Sequence, residues 1–360
     1  MPETATVPET AVLLEPRCPF RRDPERGDVF RAKIGCWWSD DQNSWMISDP
    51  DAITAILHDQ NFSVHAYTFD EVARRLGVEL PHHRRLVGYL PVAVEGEAHR
   101  TLRPRFNEAI SSNTARALTL FRDELAARLD RLFDPQRWAP FCAIKDLVQP
   151  CMRTANLALA GLADCAVAGL EELPLFFDKN LSLKKRREIE ELVGLLHASL
   201  PEAMSDDEKY FRIAILTLNM NTVLGSISES LFTVVRRNPG VPLKAMDWDK
   251  DLPATGLPMI ERKALADSTL LGHAITAGDR VQLFLDVDGL DAARGPRYSE
   301  LYFAAGLHQC PGMNYSRKLW TAFAQQMAHI DSKLRIREFR YRPRDGIFNL
   351  LDRLEVEPHG

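Results

Sequence analysis

Phe303-Ala304-Ala305-Gly306-Leu307-His308-Gln309-Cys310-Pro311-Gly312 leads straight into a strong helical pattern, and the whole chain is best read outward from it. Gly306 and Gly312 bracket the cysteine, allowing close backbone approach and positive φ on either side. A helix beginning at Gly312 would aim its partial positive end and free N–H groups at the sulfur. That favours thiolate over thiol, the form a metal ligand requires. Taken alone, such a cysteine could equally be a nucleophile or a packed small hydrophobe.

The other five cysteines, at 18, 36, 142, 151 and 165, form no Cys-x-x-Cys and lie in apolar contexts, as buried structural cysteines do. With 360 residues and 45% hydrophobic content, the chain can bury a large core. A net charge of −5 gives no reason to expect a nucleic-acid or anionic-membrane partner. The basic run Lys184-Lys185-Arg186-Arg187 sits beside acids and reads as a solvated helix face. No stretch approaches the roughly 18 apolar residues of a membrane span. The polar Pro/Thr/Glu-rich segment 1–16 reads as a flexible lead-in, without a signal core, to one domain over 17–360. The expectation is a cytoplasmic protein.

Apolar spacing of three and four predicts helices over 96–109, 115–133, 143–162, 183–203, 207–237 and 312–330, the fifth running through the core. Short strands are expected at Arg31–Trp38 and Ser44–Ser48, and at Arg335–Tyr341 and Phe348–Val356. Tight turns joining strands are expected across 271–279. The fold class is mainly α with small β-sheets at an edge.

Phe303, Gly306, His308, Cys310 and Gly312 together resemble the haem-ligand loop of the cytochrome P-450 superfamily, with Ala304 replacing the first glycine of that pattern. Tyr315-Ser316-Arg317 resembles the opening of the family's next helix. Upstream, Gly96-Glu97-Ala98-His99 with Arg103 resembles a second family motif. Spacing of four puts His99 and Arg103 on one helical face, where two cations suit a propionate. Arg262 with Asp267, Gly272, Ile275 and Gly278-Asp279 resembles the strand-and-turn segment that carries a further propionate partner.

The resemblance implies haem b (iron protoporphyrin IX), its iron held by Cys310. His99, Arg103, Arg262 and His308 would hold the propionates, with Phe303, Gly306 and Gly312 shaping the cradle. The implied fold is P-450-like and haem-thiolate, shortened between the central helix and the cysteine loop.

Two departures stand out. The family's central helix carries an acid–alcohol pair, and here the window is Asn219-Met220-Asn221-Thr222-Val223. One register puts Asn221 and Thr222 at the pair, and neither register supplies a carboxylate. An amide does not titrate near neutral pH, so a proton relay would fall to Thr222, water or substrate. Secondly, Pro239 and Arg262 are only 23 positions apart, and the positions expected to hold Glu-x-x-Arg are Asp249 and Leu252.

The leading function is therefore a haem-thiolate monooxygenase acting on a small organic molecule in specialised metabolism, supplied by ferredoxin and ferredoxin reductase. The alternative is a haem-thiolate enzyme outside the dioxygen–electron cycle: a hydrogen peroxide user, isomerase, dehydratase or bond-forming catalyst. A third is a non-catalytic haem or ligand-binding homologue. The pocket is expected between Leu86–Val94, the helix face at Asn219–Val223, and 257–260.

Overall fold

Helix boundaries follow local chemistry. In the computed structural model, α1 (Pro50–His58) starts where the Asp49 side chain accepts from the Ala52 amide, with proline in the first turn. The structure describes residues 20–22, 29–31, 35–40, 42–64, 77–177, 181–248, 256–257, 259–285, 301–341 and 350–360. The lead-in at 1–16 lies outside them.

After α1 come α2 (Pro81–Val87), α3 (Gly96–Leu132) and α4 (Gln149–Leu159), the last preceded by a π-helical turn. Then follow α5 (Leu183–Ser199), capped by Ser182, and α6 (Asp206–Arg237), capped by Ser205. Three acids in the first turn of α6 and two arginines in its last complement the helix dipole. Finally α7 (Met313–Met327) follows the cysteine loop.

The strands are β1 (Phe20–Arg22), β2 (Val29–Arg31), β3 (Cys36–Ser39), β4 (Ser44–Ile47), β5 (Phe62–Val64) and β6 (Phe141–Cys142). Beyond α6 lie β7 (Met259–Ala264), β8 (Ser268–Leu270), β9 (His273–Ile275), β10 (Arg280–Phe284), β11 (Lys333–Tyr341) and β12 (Leu351–His359). One mixed sheet has the order β3-β4-β10-β7-β5, and β11-β12-β6 form another. Only the β10–β4 pairing in the five-stranded sheet is parallel. The Pro343–Gly346 turn expected between the last two strands lies outside the described residues.

Two cores result. The larger gathers α3, α4, α6 and α7 around buried residues such as Phe121, Leu216, Leu231 and Phe323. The smaller packs α1 on the five-stranded sheet through Ile53, Val281 and Leu283. The cysteine loop lies where they meet, because Gly306 rests on the Leu57 carbonyl of α1 while α7 belongs to the larger core.

Between α6 and β7 the described residues form one 3-10 turn, Leu243–Ala245, tied by Leu243 N→Ser332 O (3.0 Å) and Lys244 N→Ile330 O (2.8 Å). Trp248 then packs against Trp320 and Phe323 of α7 at centroid distances of 6.3 and 6.2 Å. Its indole N–H donates to the Leu243 carbonyl at 2.8 Å. Asp249 and Leu252 lie outside the described residues. An aromatic cluster thus braces α7 from the short post-α6 segment.

Candidate haem site

The cysteine loop is held from both ends. Cys310 N donates to Phe303 O at 2.7 Å and Gln309 N to Gly306 O at 3.2 Å. Gly306 has φ +67, and a Cβ there would stand 2.2 Å from the Leu57 carbonyl oxygen. Only glycine fits that approach. Ala304, standing where the resembling motif has glycine, is left with φ 53. Left-handed backbone costs an alanine about 1–2 kcal/mol. The Arg317 guanidinium lies 5.6 Å from the Phe303 ring centroid, tying α7 back to the start of the loop.

Cys310 is half-buried. The amides of Gly312 and Met313 donate to its sulfur and Arg103 lies within electrostatic reach, all lowering its pKa. Burial outweighs them and pushes the thiol up. This corrects the expectation that the helix terminus alone makes a resting thiolate. The sulfur becomes a good ligand when a metal removes its proton.

Two arginines and two histidines gather beside it, and burial holds both histidine pKa values below the ordinary value. His99 and His308 rings lie 4.2 Å apart. His308 Nδ1 faces the Pro91 carbonyl at 3.1 Å, and Nε2 faces Glu95 Oε2 at 3.2 Å. Arg262 is buried on β7, donates to the Glu261 carbonyl and acts electrostatically on His308. Burial lowers the pKa of Arg103, which acts on both His99 and Cys310. His99 is buried, and its Nε2 has no hydrogen-bond partner.

These residues fit iron protoporphyrin IX. The Cys310 sulfur would be a soft ligand for the iron. The two arginines suit propionate carboxylates, and the orphaned His99 nitrogen is a buried polar atom that an anion would satisfy. No cluster of His, Cys, Asp and Glu among the described residues could hold a metal without such a group.

Beside the cysteine loop runs α6. In its middle, Leu218, Asn219, Thr222 and Ser226 are half-buried while their neighbours are buried, so these four share the face that opens. A Cβ on Gly312 would stand 3.7 Å from both Asn219 Oδ1 and Cys310 Sγ, which places that amide beside the sulfur. Thr222 lies on the open face as expected, but Asn221 does not. It is 1% exposed, and neither side-chain amide atom has a partner. The amide toward the sulfur is Asn219, two residues and about 200° of helix away from Asn221.

Gly256 closes this face from above: a Cβ there would stand 1.8 Å from the Thr222 carbonyl oxygen and 3.0 Å from Ser226 N. Of the expected 257–260 wall, Leu257, Met259 and Ile260 are described and half-buried.

Sequence reasoning missed α2, which carries the start of the Leu86–Val94 wall. Its first amides, His82 N and His83 N, donate to Glu190 Oε1 and Oε2 of α5 at 2.7 and 2.8 Å. His82 Nδ1 lies 2.6 Å from Tyr210 OH, and His197 Nε2 lies 3.3 Å from Asp206 Oδ1. Burial holds the His197 pKa below its ordinary value; Asp206 raises it, while Lys209, His82 and Arg85 lower it further. A depressed folded pKa stabilises the fold above the unfolded histidine value and loses that contribution as pH falls through the folded one. Thermal stability of the haem-free protein should therefore decline between about pH 7.5 and about pH 5.5, and decline less in His197→Gln. A flat profile, or an unchanged slope in the variant, contradicts this.

The fold is that of the cytochrome P450s. P450BioI, solved with an acyl carrier protein bearing hexadec-9Z-enoic acid, has a TM-score of 0.70 at 18% identity, covering 88% of this chain and 92% of its own. P450epoK bound to epothilone B gives 0.66 at 18% identity, covering 90% and 93%. A versatile cytochrome P450 from Bacillus subtilis gives 0.66 at 15% identity, covering 91% and 96%. Among curated proteins, the 20-oxo-5-O-mycaminosyltylactone 23-monooxygenase of Streptomyces fradiae is 24% identical, over 83% of this chain and 80% of its own. No family model matches the chain. None of the described helices is long and apolar enough to cross a membrane.

Proposed function

We propose that this chain is a cytoplasmic haem-thiolate oxidoreductase that oxidises a small organic molecule in specialised metabolism. The observation that carries it is the convergence of His99, Arg103, Arg262 and His308 beside Cys310, with a buried histidine nitrogen awaiting an anion. The curated monooxygenase relative and the epothilone-bound structure support the substrate class. Haem held here supplies oxygen-transfer chemistry at the iron. The protein's own contribution is to ligate through Cys310, to hold propionates with Arg103 and Arg262 as cations and His99 and His308 as hydrogen-bond partners, and to wall the substrate side with α2, α6 and the Gly256–Leu257 loop.

A second reading draws on α6. Among the described residues, its open face offers Asn219 and Thr222 but no carboxylate, so that face has no acid–base group that titrates near neutral pH. This favours an oxidant that arrives with its own protons, hydrogen peroxide, over dioxygen with ferredoxin and ferredoxin reductase. The two are separated by incubating haem-loaded protein and substrate with peroxide alone, or with ferredoxin, its reductase and reduced nicotinamide under air. Product in either arm supports an oxidoreductase, and the arm that yields it identifies the oxidant class. Substrate conversion with no oxidant contradicts both.

A further inference from the structure

α2 cannot stand as a helix by itself. It has seven residues, its N-cap Leu80 supplies no side-chain hydrogen bond, and so short a helix is unstable in water. Its first amides are satisfied from outside: His82 N and His83 N donate to the two carboxylate oxygens of Glu190 at 2.7 and 2.8 Å. Glu190, Gly194 and His197 are spaced by four and three, so they share one face of α5. Gly194 makes room on that face, since a Cβ there would stand 3.0 Å from His82 Nε2. From α6 the Tyr210 hydroxyl lies 2.6 Å from His82 Nδ1. The seat thus brings the His82 and His197 rings within 5.9 Å of each other, with the Tyr210 ring 4.8 Å from His197.

We propose that α2 is a pH-sensitive latch, a helix that persists only while seated on Glu190 and Tyr210 and that protonation of His82 and His197 unseats. Around the two rings stand Tyr210, Asp206 and Lys209 of α6, Glu190 of α5 and Arg85 of α2. The other histidine of α2, His83, stacks its ring on Phe176 at 3.7 Å. Asp206 also meets Arg85 at 3.4 Å, but both partners are half-exposed and such a pair holds α2 only weakly. Burial, reinforced by Lys209, His82 and Arg85, outweighs Asp206 and keeps His197 below its ordinary pKa, so the seat prefers a neutral ring. A depressed folded value gives a contribution that is present above the unfolded value, about 6.5, and lost as pH falls through the folded one. With α2 goes the start of the Leu86–Val94 wall, so access to the pocket becomes pH-dependent. Only that last consequence rests on the haem reading; the unseating does not.

The test is amide hydrogen exchange of α2, read by mass spectrometry on the haem-loaded full chain and corrected for the intrinsic effect of pH. α4, packed in the larger core, is the internal control. A released imidazole of ordinary pKa is about nine-tenths protonated at about pH 5.5, so each ring kept neutral in the seat should lower α2 protection by up to about tenfold between about pH 7.5 and about pH 5.5. α4 should keep its protection over that range. In His197→Gln, α2 should remain protected at the higher pH and lose less at the lower. In Glu190→Ala it should be unprotected at both while α4 stays protected. In the parent, α2 protection that does not change with pH, or that falls only as far as that of α4, overturns the latch. So does an undiminished loss in His197→Gln, or a protected α2 in Glu190→Ala. Exchange is read whether or not the protein takes up haem, so failure of the latch and failure of the haem reading are separate results.

Discussion

Trp248→Ala should destabilise the protein by about 3–5 kcal/mol, the range for removing a buried tryptophan and leaving its cavity. Trp248 is 4% exposed and fills the space between the short post-α6 segment and α7, against Trp320 and Phe323. The adjoining Leu243 and Lys244 amides bind the carbonyls of Ser332 and Ile330 in the segment between α7 and β11, so the indole closes a unit that fixes how α7 sits. As α7 also supplies the amides that reach the cysteine sulfur, the damage should extend to haem retention. Trp248→Phe keeps most of the ring volume but loses the bond to the Leu243 carbonyl, and should cost only about 1 kcal/mol beyond its packing loss. Urea midpoints of the three proteins, with haem content after desalting, check both statements. Equal midpoints for Trp248→Ala and the parent would show that the cluster braces nothing.

Gly306→Ala is the second large effect, and it has a built-in control. The added Cβ would meet the Leu57 carbonyl oxygen at 2.2 Å, and that oxygen belongs to backbone, so α1 or the cysteine loop must shift. The φ of +67 adds about 1–2 kcal/mol of strain to the clash. Haem affinity should fall along with stability. Ala304→Gly, two residues earlier, relieves left-handed strain of the same kind and creates no clash, so it should raise the unfolding midpoint. Loss of the loop in one variant and gain in the other are read by thermal melting and haem titration. Indifference to Gly306→Ala would mean that the loop does not rest on α1 as described.

Much of this was legible in the chain. The central helix, expected over 207–237, spans Asp206–Arg237 because its apolar spacing and acidic and basic ends agree with one another. The final helix, expected over 312–330, is α7, with Gly312 as its cap rather than its first residue. The helices expected over 96–109 and 115–133 are one helix. The polar run Ser111-Ser112-Asn113-Thr114 suggested a break, but Asn113 Nδ2 reaches the Leu159 carbonyl and Ile110 and Ala117 are buried. Tertiary contacts override weak local propensity there.

What stayed hidden depends on distant partners. The Pro-His-His-Arg-Arg start of α2 has little apolar period, and its first amides are satisfied by Glu190, more than a hundred residues away. β6 has only two residues and exists because β12 is beside it. The face of α6 was ambiguous for another reason. That helix is buried on nearly every side, so its apolar pattern cannot say which amide opens toward the cysteine, and Asn221 was chosen where the structure presents Asn219. The cysteine loop needed no such help. Its residues are contiguous, and the two arginines and two histidines each come from a short matched motif.

The central claim is that Cys310 ligates haem iron through its sulfur. It is tested most directly by reducing the haem-loaded protein under carbon monoxide and recording the Soret band, beside Cys310→Ala shown to be folded by circular dichroism. The account predicts, for the parent, the strongly red-shifted band that gives the P450s their name, and its absence in the variant. The same band in folded Cys310→Ala, or only the shorter-wavelength band of a non-thiolate haem in the parent, would contradict it.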